Sequence, residues 1–231
     1  MTAILQIRSL VMKIGIIGAG QIGGTLAKAW AHAGHQVMVS NSGNFSKLEP
    51  LVAEMGVNGS SGQADEVVEF ADVILFSVLW RKMEQVLNGL GSLEGKIVID
   101  TMNPLTTTET IVGTAPGEHI FEIPEAGSTS EELQKRLVGA RIVKAFNHFP
   151  AELLVKATQE SDTNKLTVFL CGDDKQAKHL VVQLIEDSGF IPVDAGRLSS
   201  AHLLENLARL WHEVMEANEL KDFAFSITRL K

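Results

Sequence analysis

Positive charge is scarce in this chain. Twenty lysines and arginines face 28 aspartates and glutamates, a formal net charge of −8 over 231 residues. Such a chain lacks the basic field that captures nucleic acid or an anionic membrane surface, and neither is expected as a partner. Cysteine is almost absent: Cys171 stands alone. It has no intrachain partner, and a lone thiol suits a reducing cytoplasm. No run of about 18 apolar residues occurs, so no segment reads as a membrane-spanning helix. No Cys/His cluster has zinc-ligand spacing, so no metal site is expected. No Gly-x-Ser-x-Gly elbow is present. Internal repeats, low-complexity segments and charge blocks are missing too.

What remains is an ordinary globular composition, 45% hydrophobic and 21% charged, with enough apolar mass for a substantial core. Short apolar runs alternate with amphipathic stretches. Lys13–Ile17, Gln36–Ser40, Val73–Ser77, Lys96–Asp100, Arg141–Ala145, Lys165–Cys171 and Ile191–Asp194 read as strands, with a weak one near Val57. Helices are expected over Gln21–Ala33, Ser46–Met55, Ala64–Phe70, Arg81–Leu90, Pro150–Thr158, Lys175–Ser188 and Ser200–Ala217. Ser128-x-x-Glu131 reads as a capping box that opens a further helix to Leu137. The segment Asn103–Gly127 has no period, and Gly113, Pro116, Gly117 and Pro124 mark it as a long loop. Strand–helix alternation of this kind predicts an α/β fold: a doubly wound, mostly parallel sheet of Rossmann type, in one domain closed by a C-terminal helix. Arg8 and Lys13 flank short apolar stretches that imitate a signal peptide. However, Lys13 interrupts the run, and Met12–Ile17 is needed as a strand. Residues 1–11 therefore read as an extension, and residues 12–231 as the domain.

The first strand leads into Gly18-Ala19-Gly20-Gln21-Ile22-Gly23, a Gly-x-Gly-x-x-Gly loop followed by an amphipathic helix. In that context each glycine has a task. The first permits the tight turn, the second lets backbone approach a pyrophosphate, and the third lets the helix pack on the strand. The helix N-terminus then offers free N–H groups to the anion. A dinucleotide cofactor is expected here. The second strand ends in Ser40-Asn41-Ser42. NAD binders carry an acid near this point for the adenosine ribose. None is present, and the next acid is Glu49. Short polar donors at Ser40, Asn41 and Ser42, with Lys47 nearby, favour NADP over NAD, although no arginine occupies the site.

A catalytic constellation is hard to find. Among seven histidines, His148 is the one candidate, because it follows the strand Arg141–Ala145 at the edge where α/β sheets bind ligands. A surface or hydrogen-bonded loop histidine is the competing reading. His32 and His35 sit at a helix end, where histidine serves the dipole. Lys144, at a strand end, reads as a solvated lysine with a weak claim as proton donor. Cys171 reads as a packed core thiol, and Asp173-Asp174 as a turn and N-cap.

Several segments together resemble a known family: Lys13–Gly20, Ser40-Asn41-Ser42, Lys144-Ala145-Phe146-Asn147, Gly172-Asp173-Asp174, and Val193-Asp194-Ala195-Gly196 with Leu198. They are similar to NADP-dependent oxidoreductases that reduce the 8-hydroxy-5-deazaflavin coenzyme, and to the reductase domain of the STEAP metalloreductases. The resemblance runs from Met12 to about Glu205. It implies an NADP site in which Ala19–Ile22 meet the pyrophosphate and Asn41 and Ser42 the 2′-phosphate. Val78, Leu79 and Trp80 would line the cofactor, and Asn103, Pro104 and Ala145 would lie near the nicotinamide. Ser42 stands where the deazaflavin enzyme has arginine, and Phe146-Asn147-His148 also departs from it.

The absence of an acid–base pair bears on the reaction. Carbonyl or imine reduction needs a proton donor, whereas hydride transfer to a flavin-like ring needs mainly alignment. The first expectation is therefore hydride transfer between NADPH and a planar flavin or deazaflavin. The alternatives are an NADPH-dependent reductase of a small carbonyl or imine, and a non-catalytic NADP-binding redox sensor. The apolar face of the last helix suits a homodimer.

Overall fold

The computed structural model describes residues 10–40, 45–105, 121–159 and 166–228. Strand β1 (Lys13–Ile17) is buried at every residue after Lys13. A strand apolar on both faces needs a covering layer on each side. With β2 (Gln36–Ser40), β3 (Gly59–Ser61), β4 (Val73–Phe76), β5 (Ile97–Asp100), β6 (Arg141–Lys144), β7 (Thr167–Gly172) and β8 (Ile191–Asp194) it forms one sheet, ordered β3-β2-β1-β4-β5-β6-β7-β8. Neighbours are parallel except β6 and β7, which run antiparallel. The fold is thus the expected doubly wound Rossmann architecture with a C-terminal helix.

The covering helices are α1 (Gln21–His32), α2 (Glu49–Met55), α3 (Ala64–Phe70), α4 (Met83–Leu87), α5 (Thr129–Arg136), α6 (Ala151–Gln159), α7 (Lys175–Asp187) and α8 (Ala201–Asn218). One core layer joins Leu26 and Trp30 of α1 to Leu154 of α6 and Val181 and Leu184 of α7. The Trp30 indole N–H donates to the Leu184 carbonyl at 2.9 Å, so this large side chain leaves no polar atom unpaired. The other layer joins Val67 and Val68 of α3 to Met83 and Leu133.

Strand register places the site. The pairs Ile17 with Ser40, Ile17 with Phe76, Phe76 with Asp100 and Asp100 with Lys144 put these five residues in one row. The chain leaves the sheet just past that row in β1, β4, β5 and β6. Sheet order reverses between β1 and β4, which opens the crevice where such sheets bind ligands.

Four local expectations need correction. Val57 lies in a 3-10 turn, fully exposed, and the third strand is Gly59–Ser61. The helix expected over Arg81–Leu90 is a 3-10 turn at Trp80–Lys82 followed by the short α4. Asn88-Gly89-Leu90-Gly91 holds it poorly, because glycine and asparagine are weak helix formers. His35 does not serve a helix dipole. It is buried, its Nδ1 accepts from the Met12 N–H at 3.1 Å, and its Nε2 bonds Asp187 Oδ2 at 3.0 Å. Lys144 is not solvated and is wholly buried. Of the capping box read at Ser128 and Glu131, the Ser128 half forms, its hydroxyl accepting from the Glu131 N–H, while Glu131 Oε2 accepts from that hydroxyl; Asp174 caps α7 by accepting from the Ala177 N–H. Gly113, Pro116 and Gly117 lie outside the described residues.

Candidate cofactor site

The glycine loop is shaped by close approaches. Gly18 has φ +98°, and a β-carbon there would run into the Ser77 carbonyl at the end of β4. A β-carbon on Gly23 would collide with the Gly18 carbonyl oxygen. Both positions are closed to any side chain. Gly20 is the opposite case: a β-carbon there would meet nothing within 4 Å, so the backbone borders open space. The N–H groups of Gly18 and Ala19 both donate to the Ser40 carbonyl, at 3.3 and 3.2 Å, which anchors the loop to β2.

Helix α1 starts at this opening. Its N-cap is Gly20, no side chain caps it, and no acid stands in its first turn. An uncapped, acid-free helix start leaves N–H donors and the positive dipole end for an anion. Gly20 and Gln21 are exposed, and Ala19 and Ile22 half-buried. The open space at Gly20 and these donors fit a pyrophosphate.

Of the other expected cofactor residues, Ser40 ends β2, and Val78, Asn103 and Ala145 follow the ends of β4, β5 and β6 at the same sheet edge. Ser40 is buried, and its carbonyl holds the loop. Asn41 and Ser42 lie outside the described residues. Lys47 is exposed in the 3-10 turn Phe45–Lys47. Val78 is half-buried beside Gly18, and Leu79 is exposed. The Trp80 indole N–H donates to Glu122 Oε2 at 3.0 Å. Asn103 and Asn147 exchange amide bonds. The Asn103 amide N–H donates to the Asn147 carbonyl at 2.7 Å, and the Asn147 amide N–H to Asn103 Oδ1 at 2.8 Å. This clamp ties the exits of β5 and β6 together. Pro104 is buried and accepts from the Glu122 N–H. Ala145, fully buried, donates its N–H to the Asp100 carbonyl at 3.1 Å.

His148 is not open to this edge. It is 2% exposed, with ring edges against Phe149 and Phe169. Burial pushes its pKa down to about 4, only partly offset by its bond to the Thr167 carbonyl. The imidazole is therefore neutral at pH 7 and out of reach of a solvent-borne substrate. Burial likewise pushes the Cys171 thiol up to about 12, which suits a packed core thiol.

Sequence reasoning missed a buried polar network. Lys144 Nζ lies 3.0 Å from Asp100 Oδ2 and 2.9 Å from Glu205 Oε1, and donates to the Met102 carbonyl and Thr129 Oγ1, each at 2.8 Å. Thr129 and Ser130 hydroxyls donate to Asp100 Oδ2 at 2.8 and 2.6 Å. Burial pulls the Lys144 pKa down, but the carboxylates of Asp100 and Glu205 outweigh it and hold the ammonium above the ordinary lysine value. A signal was present. Asp100 and Lys144 are charges of opposite sign that directly follow apolar runs at matching positions of neighbouring strands.

Residues 13–104 match the family model described as "NADP oxidoreductase coenzyme F420-dependent". Metalloreductase STEAP3 of Rattus norvegicus is 28% identical over 195 residues, which cover 84% of this chain and 36% of that protein. Metalloreductase STEAP2 of Homo sapiens is 26% identical over 219 residues, 92% of this chain and 40% of that protein. The chain thus spans well under half the length of the curated relatives it matches. A solved structure from Arthrobacter sp. FB24, described as a candidate F420-dependent NADP-reductase, is similar at TM-score 0.79 and 25% identity, covering 94% of this chain and 100% of that one. The class to which the family match and this structure point is the NADP-dependent oxidoreductases. Among the described residues, no helix is long and apolar enough to cross a membrane.

Proposed function

We propose that this chain is an NADP(H)-dependent oxidoreductase that passes hydride between NADPH and a planar flavin- or deazaflavin-like acceptor. The observation that carries the choice of acceptor is the burial of both candidate proton donors: His148 is 2% exposed and Lys144 0%. A carbonyl or imine needs a proton delivered at the developing charge, and neither group can reach one. A flavin-like ring needs alignment instead.

In this reading the backbone from Gly18 to Gly23 and the start of α1 hold the pyrophosphate. Ser40, Asn41, Ser42 and Lys47 take the 2′-phosphate. Val78, Leu79 and Trp80 flank the cofactor, and Asn103, Pro104 and Ala145 face its nicotinamide half. The amide clamp between Asn103 and Asn147 fixes that end of the floor. NADPH supplies the hydride; the protein supplies orientation and exclusion of water. The acceptor meets the cofactor at the open sheet edge. Residues 12–231 act as one cofactor-binding domain, and two copies pair through α8, where Leu203 and Leu210 are 56% and 48% exposed. A reducing cytoplasm is the fitting compartment.

Anaerobic stopped-flow mixing of the protein and NADPH with FMN, FAD and a deazaflavin tests this. Oxidation with at least one acceptor is expected. No oxidation with any of them would overturn the reading, and tight NADPH binding without turnover would favour a sensor. Light scattering tests the dimer.

A further inference from the structure

The network around Lys144 contains one more charge of one sign than of the other. Lys144 and Asp100 are 0% exposed and Glu205 is 5% exposed. Asp100 Oδ1 accepts from the Met102 N–H at 2.8 Å, and Oδ2 accepts from Lys144, Thr129 and Ser130. Glu205 Oε1 accepts from the Thr129 N–H and lies 2.9 Å from Lys144 Nζ in an ion pair. Each of these contacts brings a donor to a carboxylate oxygen, the arrangement an ionised carboxylate makes. One ammonium between two carboxylates leaves one negative charge over. The nearby ion pairs do not cancel it, since Lys135 and Arg136 are matched by Glu132 and Glu84, and Lys178 by Asp194.

The position of this charge follows from strand register. Asp100 and Lys144 share the row that passes through Ile17 below the glycine loop, with β4 between β1 and β5. Asp100 is therefore two strand spacings, roughly 10 Å, from the point where β1 enters the loop. A dinucleotide laid across the crevice puts its second half over the exits of β4 to β6. The network lies beneath that floor: Lys144 holds the Met102 carbonyl, and the Asp100 carbonyl holds the Ala145 N–H.

We propose that the surplus negative charge of Asp100, Lys144 and Glu205 tunes this site toward the oxidised nicotinamide, making bound NADPH a stronger hydride donor. The inference rests on the cofactor reading of the preceding section. Loss of hydride takes two electrons and one proton from the dihydronicotinamide to the flavin-like acceptor, and the neutral ring becomes a cation. A buried anion below it stabilises the cation and leaves the neutral ring nearly untouched. Asp100 and Glu205 are positioning residues in this scheme and act through the field alone.

Calorimetric titration of the full chain with NADP+ and with NADPH tests the proposal, because it compares two binding constants and needs no turnover. Glu205→Gln is expected to lower the affinity for NADP+ relative to NADPH about tenfold, the effect of a unit charge ~12 Å away at an effective dielectric of ~20. Asp100→Asn makes the same change of charge from the other side of the network, and serves if circular dichroism shows that Glu205→Gln does not fold. Ser130→Ala removes a hydrogen bond without removing charge, and the ratio should stay put. Equal weakening of both forms in the charge variants would overturn the proposal and leave the network a purely structural role. If the wild-type protein binds neither form, the cofactor reading itself fails, a result distinct from an unchanged ratio.

Discussion

Gly23 and Gly18 pack so closely that a β-carbon on Gly23 would collide with the carbonyl oxygen of Gly18, with Ile16 Cγ2 only 3.1 Å from the same point. The start of α1 is thereby held against the end of β1. Gly23→Ala must push the helix away from the strand. A cost of about 1–3 kcal/mol is expected for such overpacking, together with weaker NADPH binding. Urea denaturation and a titration of NADPH fluorescence measure the two; an unchanged denaturation midpoint would refute the steric argument.

Gly20→Ala should separate binding from folding. Its φ of −76° and ψ of −160° suit alanine, and the added methyl meets open space. The melting temperature should move by less than about 4 °C, the shift that ~1 kcal/mol gives in a domain of this size. NADPH affinity should fall at least about tenfold if the methyl occupies the approach to the pyrophosphate. Full retention of affinity would argue against the loop as the phosphate site.

Lys144→Met leaves Asp100 and Glu205 buried without their cation. Breaking a buried ion pair from one side costs about 3–5 kcal/mol. Chemical denaturation should show a loss of that size. A loss below about 1 kcal/mol, the level of a surface pair, would contradict the burial.

Acid should weaken the fold through His148. Its pKa is about 4 in the folded protein, below the ordinary 6.5. Above pH 6.5 the ring is neutral in both states and its contribution is complete. As pH falls from 6.5 toward about 4, the unfolded chain takes up a proton that the fold refuses. Stability then drops by on the order of 3 kcal/mol. Denaturation midpoints across this range should fall more steeply for the wild type than for His148→Gln. Parallel curves would show that the buried ring carries no such linkage.

Cys171 should be inert in the native state. It is fully buried, and its thiol is raised to about 12. A thiol reagent at pH 8 should label the protein in denaturant and leave the native chain unmodified. Rapid native labelling would mean that β7 opens far more readily than its packing implies.

Most of the scaffold was legible in the sequence because its signals are local. Apolar runs in Lys13–Ile17 and Val73–Ser77 marked strands, the second as one covered on both faces. The spacing of Ile22, Leu26 and Trp30 marked a helix, and three glycines between strand and helix marked the turn. Local signals failed where propensity was weak, as around Asn88 and Gly89, and where a three-residue strand, Gly59–Ser61, carries almost no apolar pattern.

The sequence by itself therefore determined the alternation of elements, the glycine loop and the absence of an acid after β2. Each of these depends on residues close together in the chain. Only the tertiary structure decided that Asp100, Lys144 and Glu205 meet, that His148 turns inward among phenylalanines, and that the β5 and β6 exits are clamped by Asn103 and Asn147. Those outcomes depend on strand register and on the return of α8 across the sheet edge. Register is set by the packing of whole layers, and no window of the sequence contains it.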